Sequence, residues 1–582
     1  MSAAAKSVTD AIGAEPMKAR LERIRNSLCA AREPYIPLWR DLADNFLPFR
    51  GRWLNEQPSQ KIRRNLKIIN ETPLIAQRTF GAGMQAGVTS PSRPWFRLKP
   101  AQRGLIEAEG VREWLYEVET ELRNLFSQSN FYSSMRPCYS EYGVFGTLAL
   151  GMYEDDEVAL HCCPYTIGSY YISVNSKGEV DTFCQEFKWT VRQIVERWVK
   201  DPANPNDPGW ANISTEVKSK WGRPQEREQW IDLVYLVLPN TDRQLGKLDA
   251  SGMPYLAVYY EAGKRNDDKL LEQKGFREFP IMVARLSTNE GDSYGTGLGV
   301  DCLGSAKALQ LQEKRKAQVI DKEVDPPMKG HPSLRNQKAS QLPGDITFVE
   351  PSVGQVGFEP VSQWKPDRSG MLEDIASIEQ RINTIMFADI FALFIQGEDK
   401  DETATKTAAK QQEKLLMLGP VLEDINRFLN KVIDRSFSIS LRQGLLPPPP
   451  QALQGQPLKI EYVSILAQAQ NIVAVQGVQQ FTGYVMGLAL QQAEMQQPVT
   501  ALDKLDIDQA IDEYGNLFGV VPTIIVPDDK VAVIRETRAK AQAAAQQQQQ
   551  AAEMIPAAAQ AAKNLGQTPL GTGSALDALT GT

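Results

Sequence analysis

At 582 residues the chain is long enough for roughly two to four packed units. Its 42% hydrophobic and 23% charged residues are ordinary for a globular protein. No run of about eighteen apolar residues occurs, which argues against a transmembrane helix. The N-terminal stretch MSAAAKSVTDAIGAEPMKAR lacks the apolar core of a secretory signal. The net charge of -7 argues against a protein that coats nucleic acid, because gripping phosphates takes an excess of Lys and Arg. Six scattered cysteines (Cys29, Cys138, Cys162, Cys163, Cys184, Cys302) form no spaced framework and read as reduced thiols in a cytosolic setting.

The first element is a helix with Met17, Leu21, Ile24 and Leu28 on one face, interrupted at Pro34. A second carries Leu38, Trp39, Leu42 and Phe46 and stops at Pro48. Residues 69–87 predict another, closed by a loop around Pro91 and Pro94; residues 107–125 predict an amphipathic helix. The period then shortens. Strands are expected over 142–153, 158–162, 170–174 and 180–187, with Asn175-Ser176-Lys177-Gly178 as a hairpin turn. Thr190 reads as the N-cap of a helix VRQIVERWV. A loop over 201–209 leads to strands over 231–238, 255–260 and 280–286. This block is α+β.

Beyond Gly299 the layout is helix, proline-rich insert, helix. Residues 303–325 make a charged helix ended by Pro326-Pro327, about 35 Å long at 1.5 Å per residue. Strands near 346–350 and 356–359 are expected in the insert. Leu372, Ile375, Ile378, Ile382, Ile385 and Met386 then mark the second helix, so the insert caps a helical stalk. A charged loop, Gly397-Glu398-Asp399-Lys400-Asp401-Glu402, precedes a third long helix from Thr403 to about Leu441. Gly419-Pro420 inside it predicts a kink, and Leu422, Ile425, Leu429, Val432 and Ile433 form its apolar stripe. A strand over 460–465 and helices between 467 and 517 follow. The Ala/Gln-rich tail reads as helix or disorder.

Motifs for chemistry are scarce. His161 and His331 are the two histidines, and His161-Cys162-Cys163 is not a metal spacing, since neighbours on a strand point to opposite faces. No cofactor is expected. Gly295-Thr296-Gly297-Leu298-Gly299 places its third glycine too early for a dinucleotide loop and reads as a flexible turn. No G-x-x-x-x-G-K-[ST] occurs, so a phosphate-cradling loop is missing and no enzyme is indicated. Carboxylates distant in sequence still meet in folds, which leaves an enzyme of DNA metabolism, such as a packaging ATPase, as the alternative.

Spaced motifs in one order carry a resemblance. They are Arg32-Glu33-Pro34, Leu38-Trp39, Phe46-Leu47-Pro48, the stretch from Thr89 to Leu98 (TSPSRPWFRL), residues 178–192, Tyr294-Gly295-Thr296-Gly297, Asp325-Pro326-Pro327, Thr403-Ala404-Thr405 and residues 506–521. From about residue 17 to 540 the chain resembles the head-to-tail connector (portal) family of short-tailed bacteriophages. Lys406 departs from it, standing where related chains often carry an acidic residue.

The resemblance implies a multi-domain α+β portal fold: wing (1–302 with 443–469 returning), descending stem helix (303–325), clip (326–366), ascending stem helix (367–395), tunnel loop (396–403), kinked wing helix (404–442), helical crown (470–537) and a tail (538–582) that is a barrel helix or disordered. It implies a closed homo-oligomeric ring, usually a dodecamer, at one vertex of the virion, assembled in the host cytoplasm and away from any membrane. Double-stranded DNA passes through it during packaging, retention and ejection. The implied partners are the terminase large subunit, tail adaptor proteins, major capsid and scaffold proteins, and internal ejection proteins at the crown. Gly397, Glu398, Asp399, Lys400, Asp401 and Glu402 would face the DNA; Lys329, Arg335 and Lys338 would meet terminase or adaptor; Gly419 and Pro420 would kink the helix behind the loop. Trp39, Trp95 and Phe96 are expected as core anchors.

Overall fold

The structure is a computed structural model that describes residues 17–50, 68–102, 105, 110–263, 269–329, 359–360, 367–396, 417–455, 457–463, 481–492, 494–495, 501–518, 526, 530–545, 563, 569–570 and 573–574. The chain divides into two compact units. The first comprises residues 1–97, 118–447 and 460–470; the second comprises 98–117, 448–459 and 471–582.

In the first unit, helix α1 (Met17–Arg32) runs through one turn of 3-10 helix (Glu33–Tyr35) into α2 (Ile36–Phe46). Pro34 sits in that 3-10 turn, where a missing N–H costs little, so it bends the path without ending it. Helix α3 (Thr72–Gly87) follows, and strand β1 (Phe96–Pro100) pairs in a two-stranded sheet with a strand at Leu458–Tyr462. Helix α4 (Val111–Gln128) starts four residues after the expected 107, past the left-handed Gly110.

Helix α5 (Phe131–Phe145) replaces the first part of an expected strand. Tyr142, Val144 and Phe145 are buried whichever way they point, so the apolar run carries no period to separate helix from strand. The change comes at Gly146, whose φ of 77° closes the helix and releases β2 (Thr147–Asp155). With β3 (Ala159–Tyr165) and β9 (Ile281–Arg285), β2 forms a three-stranded sheet of order β3-β2-β9.

A five-stranded antiparallel sheet holds β4 (Tyr170–Val174), β5 (Val180–Thr190), β6 (Trp230–Pro239), β7 (Tyr255–Glu261) and β8 (Glu272–Phe276) in that order. The expected turn joins β4 to β5: the Gly178 N–H donates to Asn175 O at 2.9 Å, with Gly178 at φ 75°. Thr190 caps α6 (Val191–Trp198) reciprocally, accepting from the Gln193 N–H while the Gln193 side chain accepts from the Thr190 N–H. Alternation along β6 sorts the two faces. Val234 and Leu236 pack under Leu21 and Leu28 of α1; Ile231 and Leu233 pack against Val191, Ile194 and Val195 of α6 and Val217 of α8 (Thr215–Trp221). The short helices α7 (Gly209–Asn212) and α8, and strand β8, lie where the sequence pattern marks no element. Trp39, Trp95 and Phe96 are core residues as expected, each at most 1% exposed.

Two long helices follow: α9 (Leu298–Val324), five residues earlier in onset than expected, and α10 (Arg368–Ile385). The second expected helix is broken. Phe387 takes a left-handed φ of 55°, and a separate helix α11 (Ala388–Gln396) begins after it. The turn docks α11 on α3, where Phe391 lies 5.9 Å ring to ring from Phe80 and covers Gly83, which has no side chain to obstruct it. Helix α12 (Gly419–Arg442) buries the whole expected stripe from Leu422 to Ile433.

In the second unit, α13 (481–492), α14 (Ile507–Phe518) and α15 (530–545) are helical, and Arg535 of α15 pairs with Asp508 of α14 at 2.6 Å. The first residues of the expected tail, 538–545, are thus helical.

Candidate functional site

The feature most unlike an ordinary core is the antiparallel pair α9–α10. At 1.5 Å per residue the 27 residues of α9 span about 40 Å. Its start is set by glycines. A Cβ on Gly295, Gly297 or Gly299 would come under 3.0 Å from backbone atoms of Val144, Gly146 or Leu286. The backbones are in direct contact, tied by Gly295 N to Thr147 Oγ1 at 2.9 Å, Thr296 N to Leu286 O at 2.7 Å and Leu286 N to Gly146 O at 2.8 Å. The motif is a packed lock, not the flexible turn its composition suggests, and it fixes where α9 leaves the β2–β9 sheet.

Asn70 holds the two helices together from the side. Its Nδ2 donates to Glu313 Oε1 of α9 at 3.1 Å and to Glu379 Oε1 of α10 at 2.7 Å. Gln310 accepts from the N–H groups of Ile69 and Asn70 at 2.6 and 2.9 Å and donates to Asn70 O at 2.8 Å. Further down, Gln312 donates to Asp374 at 3.1 Å, and Arg368 pairs with Glu323. Asp367 caps α10 by accepting from Gly370 N at 3.1 Å. Past Pro326-Pro327 the chain forms β10 (Met328–Lys329), which pairs antiparallel with β11 (Glu359–Pro360) through Met328–Pro360 and Lys329–Glu359. A two-residue ladder thus closes the far end of the hairpin around the insert.

Of the expected site residues, Lys329 stands exposed on β10. Gly419 and Pro420 stand in the first turn of α12, with Leu418 in a turn just before them. Proline is well suited to a helix's first turn. The described break thus falls at a helix start, with Met417 helical on its other side. Arg335, Lys338, His331 and the loop Gly397–Glu402 lie outside the described residues, as do the strands expected at 346–350 and 356–358. Sequence reasoning missed Asn70 and Gly146. For Gly146 the unusual Gly-x-Gly-x-Gly spacing of its partners, Gly295 to Gly299, hinted that a backbone had to come close; nothing marked Asn70.

Other candidates resolve into structure. On β3, Cys162 is buried, its backbone gripped by Asn130 (Nδ2 to Cys162 O 2.7 Å, Cys162 N to Oδ1 2.8 Å), and burial pushes its thiol up to about 12. Among the described residues no group of three His, Cys, Asp or Glu is placed to hold a metal ion. No described helix is long and apolar enough to cross a membrane. A cleft of about 1300 Å³ lies over β3, β5 and β7, lined by Tyr153, Trp189, Tyr259 and Phe276. Three of its arginines are engaged: Arg442 with Glu154 at 2.6 Å, Arg435 with Met152 O at 2.9 Å, and Arg197 over Trp189 at 5.4 Å.

A helical hairpin rooted in an α+β body and tipped by an insert defines a connector-type protein, and residues 18–526 match the model of the bacteriophage head to tail connecting protein family. The chain belongs to that family. It is 41% identical to the portal protein of Salmonella phage epsilon15 over 97% of this chain and 98% of that one. It is 35% identical to the probable portal protein of Bordetella phage BPP-1 over 88% and 89%. Among solved structures, the neck of an empty gene transfer agent particle is similar at 10% identity and a TM-score of 0.34, covering 74% of this chain and 94% of that one. The virion of a native gene transfer agent particle is similar at 11% identity and a TM-score of 0.33 over the same shares.

Proposed function

We propose that the chain is the subunit of a portal ring, a channel at one vertex of the capsid through which double-stranded DNA is packaged, retained and ejected. The observation that supports this reading best is the hairpin: two long helices fixed at the root by a glycine lock and closed at the tip by a strand ladder. The sequence around it belongs to the connecting-protein family. In this reading α9 and α10 are the stem, residues 326–366 the clip, the body with the five-stranded sheet the wing, and residues 470–537 the crown. The ring closes head to tail by rotation, with about a dozen copies, and stands between head and tail in the virion. Terminase docks at the clip first and tail proteins afterwards, with Lys329, Arg335 and Lys338 in that contact. Capsid and scaffold proteins meet the outer surface, and ejection proteins meet the crown.

The loop from Gly397 to Glu402 faces the channel. Persistent phosphate contacts multiply around a ring, and six to ten already make binding steeply salt-dependent. DNA slides past a wall in which Glu398, Asp399, Asp401 and Glu402 outnumber Lys400 and Lys406. The test is electron microscopy of the purified chain: closed rings of about a dozen copies with a central hole are expected. Monomers at high concentration, also in the presence of scaffold protein, would refute the reading. Deleting 397–401 is expected to spare ring assembly and to reduce DNA filling or retention; unchanged filling removes the loop's role.

A further inference from the structure

The cleft over the five-stranded sheet has no part in the ring reading above. Its volume of about 1300 Å³ exceeds the roughly 300–1,000 Å³ of a small-molecule site, which points to a chain segment as its occupant. One row of rings crosses it. Trp189 and Phe187 of β5 stand 5.2 Å apart, Tyr259 of β7 lies 6.4 Å from Phe187, and Tyr235 of β6 stacks on Tyr259 at 4.3 Å. Tyr153 of β2 continues the row at 6.4 Å and Phe276 of β8 ends it at 6.2 Å. All but Tyr235 are half-buried. The backbone groups beneath are taken by strand pairing, so no strand can be added there. Side-chain donors are left over. Among the described residues, the indole N–H groups of Trp189 and Trp230 and the amide of Gln185 line the cleft and have no hydrogen-bond partner.

Aromatic faces with unspent donors and no backbone edge fit one kind of segment. A polyproline II chain has no internal hydrogen bonds, so its carbonyls accept from such donors, and its stiff rings lie on aromatic faces at little cost in entropy. This chain carries such a segment. Pro447-Pro448-Pro449-Pro450 follows α12, and Pro450 has φ -55° and ψ 152°, close to polyproline II values. Pro448 and Leu445 are exposed. None of the four prolines lines the cleft of its own chain.

We propose that the proline run of one subunit lies in the aromatic cleft of the next copy, a strap between neighbours in the ring. The proposal rests on the ring reading above and names one contact that holds the ring together. Prolines two apart on a polyproline II helix are about 6 Å apart along its axis, the scale of the spacing between neighbouring rings in the row. The segment from Leu445 to Gln451 is uncharged, which suits a cleft where Glu154 and Asp155 stand among arginines and lysines. Position favours a neighbouring copy. Pro447 comes five residues after Arg442, which lines the cleft, so the run starts at most about 18 Å from a cleft wall. Run and cleft therefore sit at one level of each body, where a head-to-tail rotation repeats them in turn.

The test has two arms, both on the full chain. In the first, a peptide spanning Leu445 to Gln451 (LLPPPPQ) is titrated by calorimetry into the chain below the concentration of ring assembly. Saturable binding is expected, and the peptide LLAAAAQ is expected to bind at least ten-fold more weakly. Trp189→Ala is expected to lose at least ten-fold in affinity for LLPPPPQ, with folding verified by circular dichroism. Trp189→Phe, which keeps a ring and lacks the N–H, is expected to fall between. No saturable binding, or equal binding of the two peptides, would overturn the proposal. In the second arm, rings of a Pro449→Cys variant are treated with a short bismaleimide. Half-buried Cys163 lines the cleft, so covalent ladders of subunits are expected, and adding Cys163→Ser is expected to abolish them. Peptide binding without ladders, or ladders that persist in Cys163→Ser, would overturn the neighbouring copy as occupant and would assign the cleft to a proline-bearing segment of another protein. A wild-type chain that never forms rings would overturn the ring reading and the strap with it, and the peptide arm would then decide the chemistry of the cleft by itself.

Discussion

Gly297 and Gly304 stand seven residues apart at and within the start of α9, and the same substitution at each is expected to have opposite sign. At Gly297 a Cβ would be under 3.0 Å from Gly146 N, Val144 O and Val144 C. All three are backbone atoms of a helix end and a sheet start, neither of which can swing aside like a side chain. Overpacking of this kind costs about 1–3 kcal/mol, and with three rigid neighbours the upper end applies. At Gly304 nothing lies within 4 Å, and the residue is in mid-helix and exposed. There Gly→Ala is expected to stabilise by about 0.5–1 kcal/mol through lower backbone entropy in the unfolded chain. The two variants are therefore expected to differ by about 3–4 kcal/mol, more than a hundred-fold in the folding equilibrium at about 1.4 kcal/mol per decade. Urea unfolding followed by tryptophan fluorescence, at a subunit concentration below ring assembly, reads this as a shift in midpoint at constant slope. Equal midpoints for Gly297→Ala and Gly304→Ala would refute the lock and return the motif to a flexible turn.

Two further outcomes follow from buried polar groups. Glu141 is 2% exposed; burial pushes its carboxyl up to about 7 from the usual 4.5, opposed by Arg50 at 3.1 Å and by the Ile167 N–H at 2.9 Å. Its folded pKa is raised, so the stability it contributes is full below about pH 4.5 and lost as pH rises through 7. Relative to Glu141→Gln, the wild-type chain is expected to lose about 3 kcal/mol between those limits, and parallel pH–stability curves would remove the assignment. Asn70→Ala deletes two hydrogen bonds to carboxylates, at about 1.5–3 kcal/mol each when charged groups are involved. Faster hydrogen exchange confined to α9 and α10 is expected; unchanged exchange there would show that the clamp does not hold the hairpin.

Local signals were the legible ones. The Asn175–Gly178 turn, the Thr190 capping box and the proline-ended α9 each depend on residues within a few positions of one another, and each stands where the pattern puts it. The misses share a cause of the opposite kind. Tyr142–Phe145 is buried on all sides, so hydrophobicity has no direction to report. The break at Phe387 has no glycine or proline to mark it, because it answers to Gly83, some three hundred positions away. Strand β8, Glu-Gln-Lys-Gly-Phe, lies at a sheet edge with little to bury and so lacks alternation. For the candidate site, the hairpin was legible, whereas its lock and clamp depend on pairs remote in sequence, Gly146 with Gly297 and Asn70 with Glu379.

The ladder at the hairpin's tip has an evolutionary consequence. Among the described residues, Met328, Lys329, Glu359 and Pro360 close the insert through strand pairing. Closing a longer loop across the same ladder is cheap, because doubling a loop's length adds only about 0.6 kcal/mol of closure entropy. Insertions and deletions beyond that ladder leave the register of α9 and α10 untouched. The insert is thereby free to diverge in length, while the two helices beneath it keep their pairing.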